Sequence, residues 1–181
     1  TLAKMGYIQQ KLIDNDILLP HNLVRHEVTN SFYIGINKAH IMSYEINELL
    51  GKNEASFYEE ESFISNANYK DDFILDCTAS ERNLYWYLTS HVECSGYCRC
   101  EIFMDGKLGV SFFEGREHNP DIFDTRVSFF YHSMQDDLLQ EIFKEQTDDS
   151  IEFHIGFGCS SDTMVLDEAT ISNHASIVPH I

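Results

Sequence analysis

Apolar and polar positions alternate along the stretch from Leu84 to Phe113. Trp86, Leu88 and Val92 share one parity, and Cys98, Cys100, Ile102 and Met104 repeat the period of two that sets alternate side chains on one face of a sheet. That face is expected to be the core face. Asp105-Gly106 stands between two apolar runs, and a type I′ turn, with positive φ at both central residues, favours that pair in a two-residue hairpin. Ser95-Gly96 repeats the signal more weakly. The stretch therefore predicts three consecutive strands.

The same patterning extends to the flanks. Leu2, Met5, Ile8 and Leu12 recur at helical spacing and predict a short amphipathic helix over residues 2 to 14, with Pro20 opposing its continuation. Val28 to Ile36 reads as a strand turning at Asn37-Lys38 into a second one at Ala39 to Met42, and Ser43 is placed to cap a helix through Ile46, Leu49 and Leu50 that stops at Gly51. Gly51 to Asp72 has no steady period and reads as a surface loop. Its Phe57, Tyr58 and Phe63 serve either the core or a protein-binding surface. Phe73 to Thr78 predicts a strand, as do Val127, Phe129 and Tyr131 by alternation, then Ile151 to Phe157, Thr163 to Leu166 and Ala169 to Val178. Between them Ser133 is expected to cap a helix with Asp136 and Asp137 in its first turn, Leu138, Leu139, Ile142 and Phe143 as its buried stripe, and Lys144 near its end.

Together these elements predict an α+β fold: a mostly antiparallel sheet of about seven to eight strands, built from meanders and hairpins, with two or three helices packed on it. No repeat or low-complexity linker divides the chain, so residues 1-181 are expected to form a single domain.

Composition narrows the function. With 43% hydrophobic and 13% aromatic residues, the chain has the material for a packed core. It has no run of 18 apolar residues, and Thr1 to Gly6 lack a signal peptide's apolar segment, so a cytoplasmic protein is expected, with Met5 a candidate initiator. The net charge of -18 sets 30 acidic residues against 12 basic ones and repels phosphate backbones and anionic lipid. Nucleic acid and membrane are thereby disfavoured as partners, and a basic protein is favoured. Beyond Lys144 there is no lysine or arginine at all. Glu59, Glu60 and Glu61 in the loop, with Asp148, Asp149, Asp162, Asp167 and Glu168 in the tail, are the candidate partner-binding residues.

Chemistry is sparser. Cys94, Cys98 and Cys100, with His91 upstream, are the only grouping reminiscent of metal ligands, but structural zinc takes ligand pairs from two knuckles and the second pair is missing. The five cysteines are expected to be reduced, metal-free and largely buried. Gly156 to Ser161 lacks the Gly-x-Ser-x-Gly elbow, and no glycine-rich phosphate loop is present. No catalytic residue, cofactor or metal is assigned.

In these respects the chain resembles in composition the immunity proteins of bacterial contact-dependent inhibition and polymorphic toxin systems, which are small, acidic, single-domain proteins without an active-site motif. The resemblance implies an antitoxin that binds a basic toxin such as a nuclease, and it transfers no residues. The alternative is a small enzyme or ligand-binding protein with a pocket between sheet and helices, lined by Tyr85, Trp86, Tyr87 and nearby histidines.

Overall fold

The structure, a computed structural model, describes residues 2–23, 27–58, 68–78, 80–103, 106–144 and 168–175; of residues 142–144, 168 and 171 it describes the backbone alone. The chain divides into two compact units, one of Thr1–Ala67 with Leu166–Ile181 and one of Asn68–Val165.

In the first unit, β1 (Lys11–Ile13) and β2 (Ser56–Tyr58) form a parallel pair with Leu12 opposite Phe57. Parallel neighbours need a crossover, and α1 (Lys38–Leu50) lies within it. The Asn37 side chain starts this helix by accepting the His40 N–H, and Gly51 ends it in the left-handed conformation at φ 63, its N–H reaching the Asn47 and Glu48 carbonyls. The stop falls where the sequence places it, but the start is earlier than Ser43. Ser43 is buried within the helix and donates to the His40 carbonyl, and Ala39 to Met42 are helical. Asn47 then fixes the return to β2: its Oδ1 accepts the Glu54 and Ala55 N–H groups, and its Nδ2 donates to the Ala55 carbonyl. Among the described residues two small apolar clusters are packed, Ala3, Ile46 and Ala55 with Leu12 and Leu50, and Leu18, Val28 and Ile41 with Leu23, Tyr33 and Met42.

Several expected elements of this unit are different. Residues 2 to 14 hold a 3-10 turn, Ala3–Met5, and β1 in place of one helix, because Gly6 at φ 97 breaks the spiral after a single turn. Residues 28 to 36 hold the 3-10 turn Ser31–Tyr33, capped by Asn30, where a strand was expected. A closing helix, Glu168–Ala175, stands where a strand was expected from Ala169.

In the second unit, β3 (Tyr69–Asp76), β4 (Cys94–Phe103) and β5 (Leu108–Gly115) form one sheet in that order. β4 and β5 are the expected hairpin, antiparallel from Gly96 opposite Gly115 to Phe103 opposite Leu108, with Gly106 at φ 88 in the turn. β3 runs parallel to β4, with Leu75 beside Cys98 and Asp76 beside Arg99. The crossover is α2 (Glu81–Ser90), capped by Ser80, so the expected strand through Trp86 is a helix. Its aromatic run, Tyr85-Trp86-Tyr87, has high strand propensity, but Leu84 and Tyr87 at i, i+3 are its buried pair.

The expected strand at Val127 to Tyr131 is likewise helical. α3 (Ile122–Ser133) begins at Asp121, whose carboxyl accepts the Asp124 N–H at 2.7 Å. Ser133 is therefore the last residue of a helix, buried and donating to the Phe130 carbonyl; it is no N-cap. The cap of α4 (Asp137–Lys144) is Asp136, which accepts the Leu139 N–H. Leu138, expected in a buried stripe, is exposed, and the side chains of Ile142 and Phe143 lie outside the described residues. In total the described residues hold five strands in two small, partly parallel sheets and five α-helices. The broad α+β class holds, but the single antiparallel sheet of seven to eight strands is overturned. The strands expected at Ile151 to Phe157 and Thr163 to Leu166 fall outside the described residues.

α2 and α3 cover one face of the three-stranded sheet. Tyr87 stacks on Tyr97 at 3.8 Å between ring centroids, and Phe129 meets Phe112 edge-on at 5.4 Å. On the opposite face Phe73 and Phe113 stack at 6.0 Å. A Cβ on Gly96 would stand 3.0 Å from the Phe73 ring, so a glycine there permits the ring to lie over the strand. Away from the sheet, Phe123, Val127, Tyr131 and Met134 form one stripe at i, i+4, i+8 and i+11, and each of them and Leu138 is more than half exposed.

Candidate functional site

The covered face of the sheet carries residues that the alternation assigns to solvent. Tyr97, Arg99 and Glu101 on β4, with Glu114 on β5, are all buried. Arg99 is 1% exposed and is held on every side. Its Nη1 donates to Asp76 at 2.9 Å and to the Ser80 carbonyl at 3.0 Å, its Nη2 donates to Glu81 at 3.1 Å, and its Nε donates to Glu101. Arg126 of α3 closes the cluster, 2.9 Å from Glu81 and 3.0 Å from Glu101. Burial opposes the Arg99 charge, but the hydrogen bond and field of Glu101, followed by Asp76, raise its pKa overall. The cluster ties β3, α2, β4 and α3 together, and its cations are used internally.

Tyr97 connects this cluster to a second one. Its hydroxyl donates to Asp76 at 2.7 Å, and the stacked Tyr87 donates to Glu114 at 2.7 Å. Glu114, 2% exposed, also accepts the backbone N–H of Ile122 at the start of α3 and bonds His118 Nδ1. A carboxyl on Nδ1 is the arrangement that orients a histidine base in hydrolytic sites, and the His118 side chain is half exposed. His118 has φ 51 and His91 φ 47, both left-handed. Both line a cleft of about 630 Å3 together with Tyr87, Cys94, Glu114 and Arg116, among others.

Both stacked tyrosines have raised pKa values, chiefly from burial; the Glu114 hydrogen bond adds to this for Tyr87 and the Asp76 charge for Tyr97. Burial also pushes Tyr69 up to about 12. A folded pKa above the unfolded value near 10 contributes stability below about pH 10 that is lost as pH rises toward the folded value. In an ultraviolet titration we expect Tyr69, Tyr87 and Tyr97 to stay neutral after the exposed tyrosines ionise, and to ionise together with unfolding. Smooth ionisation of all nine tyrosines near pH 10 with circular dichroism unchanged would contradict this.

The other sequence candidates fall apart or out of view. Cys94 is buried in the cleft with its Sγ 3.9 Å from the Tyr87 hydroxyl, whereas Cys98 and Cys77 both neighbour Cys100. Among the described residues no group of three or more His, Cys, Asp and Glu is arranged to hold a metal. Cys98 is buried as expected, but Cys77 is exposed and Cys100 half-buried. Of the expected pocket aromatics only Tyr87 lines the cleft; Tyr85 is exposed and Trp86 packs edge-on against Tyr69. Phe57 and Tyr58 are partly exposed on β2, Phe57 stacked on His40 at 4.3 Å, and Phe63 lies outside the described residues. Glu59, Glu60, Glu61, Asp148, Asp149, Asp162 and Asp167 also lie outside them, and Glu168 opens the closing helix. No helix among the described residues is long and apolar enough to cross a membrane.

No protein-family model matches the chain, and no curated protein matches it in sequence. The functional reading therefore rests on charge, surface and cleft.

Proposed function

We propose that this chain is an acidic binding protein that neutralises a basic protein, a cytoplasmic immunity protein set against a basic toxin such as a nuclease. The observation that carries the reading is the net charge of -18, whose field attracts and orients a cationic surface. Two structural features support it. Arg99, Arg126 and Lys38 are withdrawn into ion pairs with carboxylates of the chain itself, so these cations are not presented to a partner. The exposed stripe of Phe123, Val127, Tyr131 and Met134 lies beside Asp124, Asp136 and Asp137, the apolar centre and polar rim of a protein interface. Glu59, Glu60, Glu61, Asp148, Asp149, Asp162, Asp167 and Glu168 are the further contacts proposed for the basic partner.

The test is association kinetics with the basic partner, sought first as the product of an adjacent gene and by affinity capture from the native cell. We expect the on-rate to fall about tenfold or more between low and high salt while the off-rate changes little. An on-rate independent of salt, or a partner of acidic charge, sinks the proposal.

A second reading is favoured by the Glu114–His118 pair at the cleft: a small enzyme or ligand-binding protein whose base is His118. His118→Ala separates the two. It removes the candidate base and leaves the α3 stripe intact, so the immunity reading predicts unchanged neutralisation of the partner.

A further inference from the structure

On the face of the second unit's sheet opposite α2 and α3, three thiols meet. β3 pairs with β4 in parallel as far as Asp76 and Arg99, and Cys77 and Cys100 are the residues that follow that last pair. The thiols of Cys77 and Cys98 neighbour the Cys100 sulfur, and the Ser111 hydroxyl stands 3.7 Å from it across the hairpin. Three potential donors thus converge on one sulfur. Cys98 is fully buried, Cys100 half-buried and Cys77 exposed, so the cluster has a dry side and an open side.

We infer that these residues form a hydroperoxide-reactive thiol site, in which Cys100 attacks and Cys77 closes a disulfide with it. Donors around a sulfur favour its thiolate, and the neighbouring Cys77 and then Cys98 thiols lower the Cys100 pKa, against the opposing effect of burial. In the first step the Cys100 thiolate attacks the O–O bond of a hydroperoxide. The S–O bond forms, the O–O bond breaks, and the alkoxide or hydroxide leaves with a proton, giving sulfenic acid and alcohol or water. In the second, the Cys77 sulfur displaces that hydroxyl as water, so two thiols are oxidised for each peroxide reduced. Cys77 suits this step better than Cys98, because adjacent strands bring Cα atoms within disulfide range, whereas two residues apart on one extended strand point in parallel.

The test uses the whole reduced protein, with hydrogen peroxide and cumene hydroperoxide as probes and peptide mapping of the products. We expect the loss of two of the five thiols and a single cross-linked peptide pair joining Cys77 to Cys100. Cys77→Ser is expected to leave Cys100 as a sulfenic acid trapped by dimedone, and Cys100→Ser to abolish the cross-link. A cross-link between other cysteines, dimedone capture on Cys77 ahead of Cys100, or oxidation of the cluster only after unfolding overturns the inference. The wild-type map decides it alone should Cys100→Ser fail to fold.

Discussion

Replacing Arg99 with alanine is expected to cost about 3–5 kcal/mol, the usual cost of removing one partner of a buried ion pair. The guanidinium is 1% exposed and bonds Asp76, Glu81 and Glu101. Its loss leaves the buried Asp76 and Glu101 carboxyls facing only Arg126, Tyr97 and Thr78. The penalty is a large share of a typical domain's 5–15 kcal/mol. Arg99→Lys keeps the charge but lacks the planar fork that reaches several acceptors at once, so it should lie between wild type and alanine. Arg116→Ala, at an exposed arginine 3.9 Å from an exposed Asp71, is the control and should stay within about 0.5 kcal/mol. Urea unfolding followed by the fluorescence of Trp86, the single tryptophan, measures all three. A loss below about 1 kcal/mol for Arg99→Ala would show that the cluster is solvated.

The second large effect belongs to Glu114. Glu114→Leu keeps the apolar bulk but strands the Tyr87 hydroxyl and the Ile122 N–H, both buried, without their acceptor, and should cost about 3 kcal/mol. Glu114→Gln retains one carbonyl oxygen and should cost less, about 1 kcal/mol. His118→Ala should cost less still, because that ring is half exposed and its hydration replaces the lost bond. The order Leu, Gln, His118→Ala in denaturation midpoints is the expected result. Equal midpoints for the two Glu114 variants would mean that Glu114 does not hold the start of α3.

These two residues also show what sequence can and cannot reveal. The β4–β5 hairpin was legible because local rules act there alone: a period of two on both sides and a glycine where positive φ is needed. Gly51 was legible for the same reason. The buried face was not, because Tyr97, Arg99 and Glu101 have the polarity of a solvent face, and their burial depends on Asp76, Glu81 and Arg126 arriving from three other elements. α2 and α3 were missed because aromatic and β-branched runs mimic strand alternation, while their helical starts rest on single caps, Ser80 and Asp121. Tyr87 was singled out for the cleft, but Glu114 and His118 were not. At i, i+4 they carry a pattern too common in an acidic chain to stand out, and only the turn at His118 brings the ring back onto the carboxyl.

The first unit is assembled from both ends of the described chain, and the second is contributed whole by the span between them. Seen from the ribosome, this reverses the order in which the two are completed. Residues 68–165 are all synthesised before Glu168–Ala175, so the unit that begins first is completed last. The cluster of Ala3, Ile46 and Ala55 with Leu12 and Leu50 is thus made entirely from the first-synthesised part of its unit, and can form before the inserted span and the closing helix follow.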